Sequence, residues 1–169
     1  MSNFKASAKK SWERQLRESL ALFGHRNWVV VADAAYPAQA RSGIETVLAA
    51  GDQISVARKT LAAIESYKHI RARVHMVREL RFLAESDAPG VATYRRQLDA
   101  LFRDSNRNEV LHEEVIARLD QSARLFRILI IKTAMTIPYT SIFFELGCGY
   151  SSAETEERLR LTMQLSQIS

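Results

Sequence analysis

The chain has 169 residues, 47% of them hydrophobic and 25% charged, with a net charge of +5. This length and balance suit one soluble domain with a substantial core. A single cysteine, Cys148, excludes an internal disulfide framework, and apolar runs of strand length exclude membrane spans.

From Lys5 to Phe23, Trp12, Leu16, Leu20 and Phe23 recur at helical spacing, which predicts an amphipathic amino-terminal helix within residues 1–23, closed by Gly24. Trp28–Ala32 is short, β-branched and apolar on both faces, as in a strand buried mid-sheet. Asp33 falls at its carboxyl end, where ligands bind in open α/β sheets. After a loop with Pro37, Gly43–Leu48 predicts a second strand. Asp52 is placed to cap a helix over Gln53–Tyr67.

Ile70–Val77 alternates apolar with basic residues, which predicts a strand with Arg71, Arg73 and His75 on one wet face. Arg78–Ser86 is ambiguous. Pro89 suits the first turn of a helix over Val91–Arg103, and Asp104–Asn108 reads as a loop. A helix over His112–Ala123 leads to an apolar strand, Phe126–Thr133, and then a strand at Tyr139–Leu146. Gly147-Cys148-Gly149 should break the chain. Ser151 with Glu154 offers a capping box for a final helix within 151–169. Strands alternating with helices predict a single three-layer α/β/α domain over 1–169, with a mostly parallel, mixed sheet.

Three polar groups lie beside strands: His25 with Asp33, His112-Glu113-Glu114, and Pro138-Tyr139-Thr140-Ser141. Taken alone each has an ordinary structural reading. A His after a helix-ending Gly packs or caps, Asp33 organises a turn, and carboxylates favour a helix first turn. His112 and Glu113 are adjacent rather than four residues apart, so no metal site is expected. Nor is there a Gly-rich phosphate loop of standard spacing, so dependence on a nucleotide is not expected. The basic residues, Arg71, Arg73, Arg78, Arg81, Arg95 and Arg96 among them, are dispersed among acids and carry no nucleic-acid-binding signature.

In order and spacing these groups resemble the D-ribose pyranase / L-fucose mutarotase family. The matching pieces are Gly24-His25 through Asp33-Ala34-Ala35-Tyr36-Pro37, Leu111-His112-Glu113-Glu114-Val115, and Ile131-Lys132-Thr133 with Pro138-Tyr139-Thr140-Ser141-Ile142. The resemblance implies cofactor-free opening and reclosure of a monosaccharide ring, ribose- or fucose-like. His25 would be the acid/base, and Asp33 would bind a sugar hydroxyl and orient His25. His112, Tyr139 and Ser141 would bind the sugar. It also implies a cytoplasmic, ring-shaped homo-oligomer (a decamer or similar) whose neighbouring subunits complete the pocket, with no nucleic-acid or membrane partner. Ser141 stands where the family has asparagine, and the carboxyl-terminal extension runs past the family's ending. Glu145, a carboxylate at the end of an apolar strand, is a secondary candidate. The rival reading is a non-catalytic sugar-binding or transport-associated regulator of the same fold.

Overall fold

The computed structural model describes residues 11–167. The helical pattern expected from Lys5 to Lys10 and the last two residues of the expected final helix lie outside that span.

Six strands form one sheet in the order β2-β5-β1-β6-β3-β4. They are β1 (Trp28–Ala32), β2 (Ile44–Leu48), β3 (Ile70–Val77), β4 (Arg107–Val110), β5 (Ile128–Lys132) and β6 (Ile142–Cys148). The pairs β1–β5, β2–β5 and β3–β4 run parallel, whereas β6 runs antiparallel to both β1 and β3. The sheet is therefore mixed and mostly parallel. The five residues of β1 are buried because strands flank both edges and apolar layers cover both faces.

The two layers are unequal. On one face Trp12, Leu16 and Leu20 of α1 (Trp12–Leu22), Ile54, Ala57 and Ile64 of α2 (Gln53–Glu65), and Tyr94 and Leu98 of α3 (Val91–Leu101) pack on Val29, Val31, Val74 and Phe144. On the other, α4 (His112–Ser122) brings Val115 and Leu119 against Trp28, Val30, Ile130 and Phe143. The fifth helix, α5 (Ala153–Ser166), has no buried residue. No helix among the described residues is long and apolar enough to cross a membrane.

Several local expectations are corrected. Residues 107–110 form a strand rather than part of a loop. As a sheet edge, Arg-Asn-Glu-Val needs to bury only Val110, so it carries no apolar alternation. His75 shares a face with Arg71 and Arg73 but is fully buried, because the layer containing α4 covers that half of β3. Tyr139 lies in a turn before β6, not in the strand. At its other end β6 continues through Gly147 to Cys148, paired residue by residue with β3 down to Ile70. Ser152, not Ser151, caps α5 by accepting from the Thr155 N–H at 3.1 Å. Pro89 precedes the cap of α3, which is Gly90 at φ +93°; the Glu85 carboxylate accepts from the N–H groups of Gly90 and Ala92. The ambiguous stretch opens with a 3-10 turn, Arg78–Phe82.

Gly149 shows why β6 must end where it does. Its N–H donates to the His69 carbonyl at 3.0 Å, and a Cβ there would lie 2.3 Å from the Lys68 carbonyl oxygen and 2.8 Å from the Ile70 nitrogen. Backbone on both sides cannot yield cheaply. Gly149→Ala is expected to cost about 1–3 kcal/mol, read as a lower denaturant midpoint at unchanged m-value.

Candidate active site

The carboxyl ends of β1 and β3, the start of β6 and one side of α4 line a cavity of about 520 Å³. Its walls include Asp33, Tyr36, His112, Asp120, Tyr139 and Ser141, with Val77, Ile116 and Pro138 as apolar lining. Four of the six residues singled out from the sequence thus meet in one hollow, although 108 residues separate Asp33 from Ser141 in the chain. Parallel β1 and β3 bring their carboxyl ends to one edge, and antiparallel β6 begins there.

Asp33 is held rigidly. Its Oδ1 accepts from the Ala35 N–H at 3.0 Å, and its Oδ2 accepts from the Ser141 hydroxyl at 2.9 Å. The same hydroxyl accepts from the Asp33 N–H at 3.1 Å. Ser141 is therefore committed to aiming the aspartate. Tyr36 is buried beside it on Phe143. Burial, then the charges of Asp120 and Asp33, push its phenol above the ordinary tyrosine range, so its hydroxyl stays protonated.

His112 opens α4, and its backbone N–H donates to both carboxylate oxygens of Glu79 at 3.1 Å. This distant carboxylate caps a helix whose own N-cap residue, Leu111, makes no side-chain cap bond. The His112 imidazole meets Tyr139 edge-on, with ring centroids 5.8 Å apart. Tyr139 is at φ +61°, a left-handed conformation that a bulky residue adopts only when its surroundings impose it.

Those surroundings are a buried polar knot that sequence reading missed. The Thr140 carbonyl accepts from Gln53 Nε2 at 2.5 Å and from the Tyr94 hydroxyl at 2.8 Å. Gln53 Oε1 accepts from the Thr133 hydroxyl at 2.7 Å, and the Thr133 hydroxyl oxygen accepts from the Met135 N–H at 3.2 Å. A fully buried glutamine at a helix start is the one sequence-level oddity, but only an amphipathic count that placed Gln53 inward would have exposed it.

His25 is placed elsewhere. It sits in an exposed turn at the amino end of β1, where the Asn27 N–H returns to the Gly24 carbonyl at 3.3 Å and Arg26 takes φ +73°. The strand alone separates its ends by about 13 Å, so within one subunit Asp33 does not orient His25. Near that end a second hollow of about 330 Å³ lies beside α1, between Ser19, Ser42, Glu45 and Arg127. His25 lines neither cavity.

Glu145 is also outside the main cavity. Its Oε2 takes the imidazole Nε2 of buried His75 at 2.7 Å and the Arg118 guanidinium at 2.9 Å. Trp28 stacks on His75 at 5.4 Å, and Arg118 lies 5.8 Å over the Trp28 ring. The His75 hydrogen bond first, then Arg118, hold the Glu145 carboxyl below the ordinary range against a burial that would raise it. Glu145 reads as the partner of a structural cluster. Cys148 is half-buried and free. Among the described residues no three His, Cys, Asp or Glu side chains gather as a metal site.

The model of the RbsD / FucU transport protein family matches residues 8–149. Bacillus subtilis RbsD complexed with D-ribose superposes with a TM-score of 0.56 at 18% identity, covering 79% of this chain and 91% of that one. The fucose mutarotase of Streptococcus pneumoniae in complex with L-fucose gives 0.51 at 18%, with 79% and 91% covered. FucU of Bifidobacterium longum gives 0.51 at 14%, with 79% and 94% covered. No curated protein sequence matches the chain. At these identities the superpositions establish the fold.

The Glu145 cluster makes a pH-dependent contribution to stability with a definite sign. A carboxyl held lower in the folded than in the unfolded chain stabilises fully above the ordinary glutamate range, and that contribution is lost as pH falls below it. Glu145→Gln should lower stability at neutral pH and flatten the acid limb of the stability curve, as read by denaturant melts between neutral and acid pH.

Proposed function

This chain belongs to the RbsD / FucU transport protein family, and from that premise we propose that it is a cofactor-independent monosaccharide mutarotase. The observation that carries the reading is the convergence of Asp33, His112 and Tyr139 on one 520 Å³ cavity, a volume suited to a single sugar ring. The ribose and fucose bound to the two structural neighbours are of that size and uncharged.

Mutarotation needs a proton removed from the anomeric hydroxyl and another delivered to the ring oxygen; the open aldehyde then recloses from its other face. A carboxylate and an imidazole suit these transfers near neutral pH. Asp33, aimed by Ser141, accepts a sugar hydroxyl's hydrogen bond. The half-exposed His112 imidazole and the Tyr139 hydroxyl reach the ring from the other wall. Tyr36 adds a donor that stays protonated.

His25 takes part, in this reading, only from a second copy. Its exposed turn lies at the opposite end of β1 from Asp33, so a ring of subunits would present one chain's His25 to the next chain's cavity. Arg26 at positive φ supports a turn shaped for more than chain reversal.

The test is magnetisation exchange between sugar anomers by NMR, over a panel of free pentoses, hexoses and deoxyhexoses. Exchange should accelerate with protein present and fall by about 10²-fold or more in His112→Ala, Asp33→Asn or His25→Ala. Mixed oligomers reassembled from His25→Ala and Asp33→Asn subunits should regain exchange that neither variant shows alone. Sugar binding without accelerated exchange would instead favour a sugar-binding regulator, and mixed oligomers that stay inactive would remove His25 from a shared pocket.

A further inference from the structure

The last helix has no seat on its own domain. α5 lies beyond the residues that match the family, 8–149, and none of its 14 residues is buried. Leu159, Leu161, Met163 and Leu165 are each between 53 and 68% exposed. A lone helix of this length is marginal in water, because few of its hydrogen bonds repay the ordering of its backbone. Leu159 and Met163 stand one turn apart, and so do Leu161 and Leu165. The two-residue offset turns the second pair about 200° from the first. A flat partner, whether a sheet face or a membrane, would cover one pair and leave the other wet. Two opposite apolar stripes need a surface on each side.

The ends of the sheet offer two such surfaces. Among the described residues, the other large hydrophobic side chains left exposed all sit at those ends. Leu22, Leu125 and Tyr150 lie at the amino edge, before β1 and β5 and after β6. Leu48, Phe82, Leu111 and Tyr139 lie at the carboxyl edge, after β2, β3 and β4 and before β6. The helix starts from the amino edge. There the Arg26 N–H donates to the Leu146 carbonyl at 2.9 Å, so the chain leaves β6 beside the His25 turn.

Charge matches α5 to the opposite edge. Its acids, Glu154, Glu156 and Glu157, come first; among the apolar residues that follow, the only charges are Arg158 and Arg160. At the carboxyl edge the exposed Glu113 and Glu114 stand beside Leu111. The 3-10 turn that carries Phe82 is tied to the same helix start through Glu79. An apolar strip edged by arginines thus faces an apolar patch edged by glutamates, provided the patch belongs to another copy.

We infer that α5 is a strap between two copies of this chain. One stripe lies on its own amino edge, and the other on the next copy's carboxyl edge around Leu111 and Phe82. This rests on the reading above that one chain's His25 turn meets the next chain's cavity, a head-to-tail contact. Because Leu111 adjoins His112, the strap fastens the two edges next to the shared pocket.

Hydrogen exchange of the whole protein, read by mass spectrometry beside light scattering, tests the strap. In the assembled protein the α5 amides should exchange about tenfold or more slowly than after dilution has separated the copies. Phe82→Glu, at an exposed position, should remove that protection although α5 itself is unaltered; Leu161→Glu with Leu165→Glu should remove it from the other side. Arg158→Glu with Arg160→Glu should also lose it, and adding Glu113→Arg with Glu114→Arg in the same chain should restore it. The melting temperature of the separated copies checks that each variant folds. Equal protection in separated copies, protection that needs added lipid vesicles, or charge reversal without restoration overturns the strap. So does an assembly that passes the mixed-subunit test with His25→Ala and Asp33→Asn yet leaves α5 unprotected, and in that case the shared pocket stands. A chain that stays single at every concentration removes both.

Discussion

The candidate site depends on one buried carbonyl. The Thr140 oxygen is gripped by Gln53 from α2 and Tyr94 from α3, and Gln53 in turn holds Thr133 just past β5. Buried polar groups are costly when left unpaired, so this knot stabilises only one arrangement of the turn before β6. That arrangement holds Tyr139 at positive φ beside His112 and sets the Ser141 hydroxyl against Asp33. The helices that cover one face of the sheet thus position side chains that line a cavity at its edge.

The unequal helix layers explain where the cavity can exist. Three helices seal the first face, whereas α4 alone carries the second, and its first turn stops at the sheet edge beside the ends of β1 and β3. Glu79, just past the end of β3, caps that first turn and so fixes how far His112 projects. Antiparallel β6 then brings its starting residues to the edge where the parallel strands end. Had β6 run parallel, Ser141 would lie at the opposite edge from Asp33.

The same face holds a second buried cluster with a different character. Glu145 satisfies one nitrogen of His75 and anchors Arg118, but His75 Nδ1 is buried with no hydrogen-bond partner. An unpaired group of that kind costs about 1–3 kcal/mol. Stacking on Trp28 and the hydrogen bond to Glu145 offset it, and Trp28 is itself tied to Ser122 through its indole N–H at 3.1 Å. The cluster locks α4 onto β1, β3 and β6, the elements whose ends form the cavity.

Local pattern alone was enough for most of the architecture. Val-rich β1, the alternation of β3, the apolar run of β5 and the Asp52 cap are each dictated by nearest-neighbour chemistry, and the observed elements follow them. The order of Gly24-His25 with Asp33, of His112, and of Pro138-Tyr139-Thr140-Ser141 carries the family resemblance without any contact between them. What needed the tertiary structure was every relation between distant segments. Edge strand β4 hides because an edge buries little. His75 changes from a wet residue to a buried one only when α4 lands on it. His25 and Asp33 look adjacent in sequence, yet an extended strand carries them to opposite edges of the sheet. Periodicity reports which face a residue takes; strand order, direction and helix coverage decide which residues share it, and those come from packing between segments a hundred residues apart.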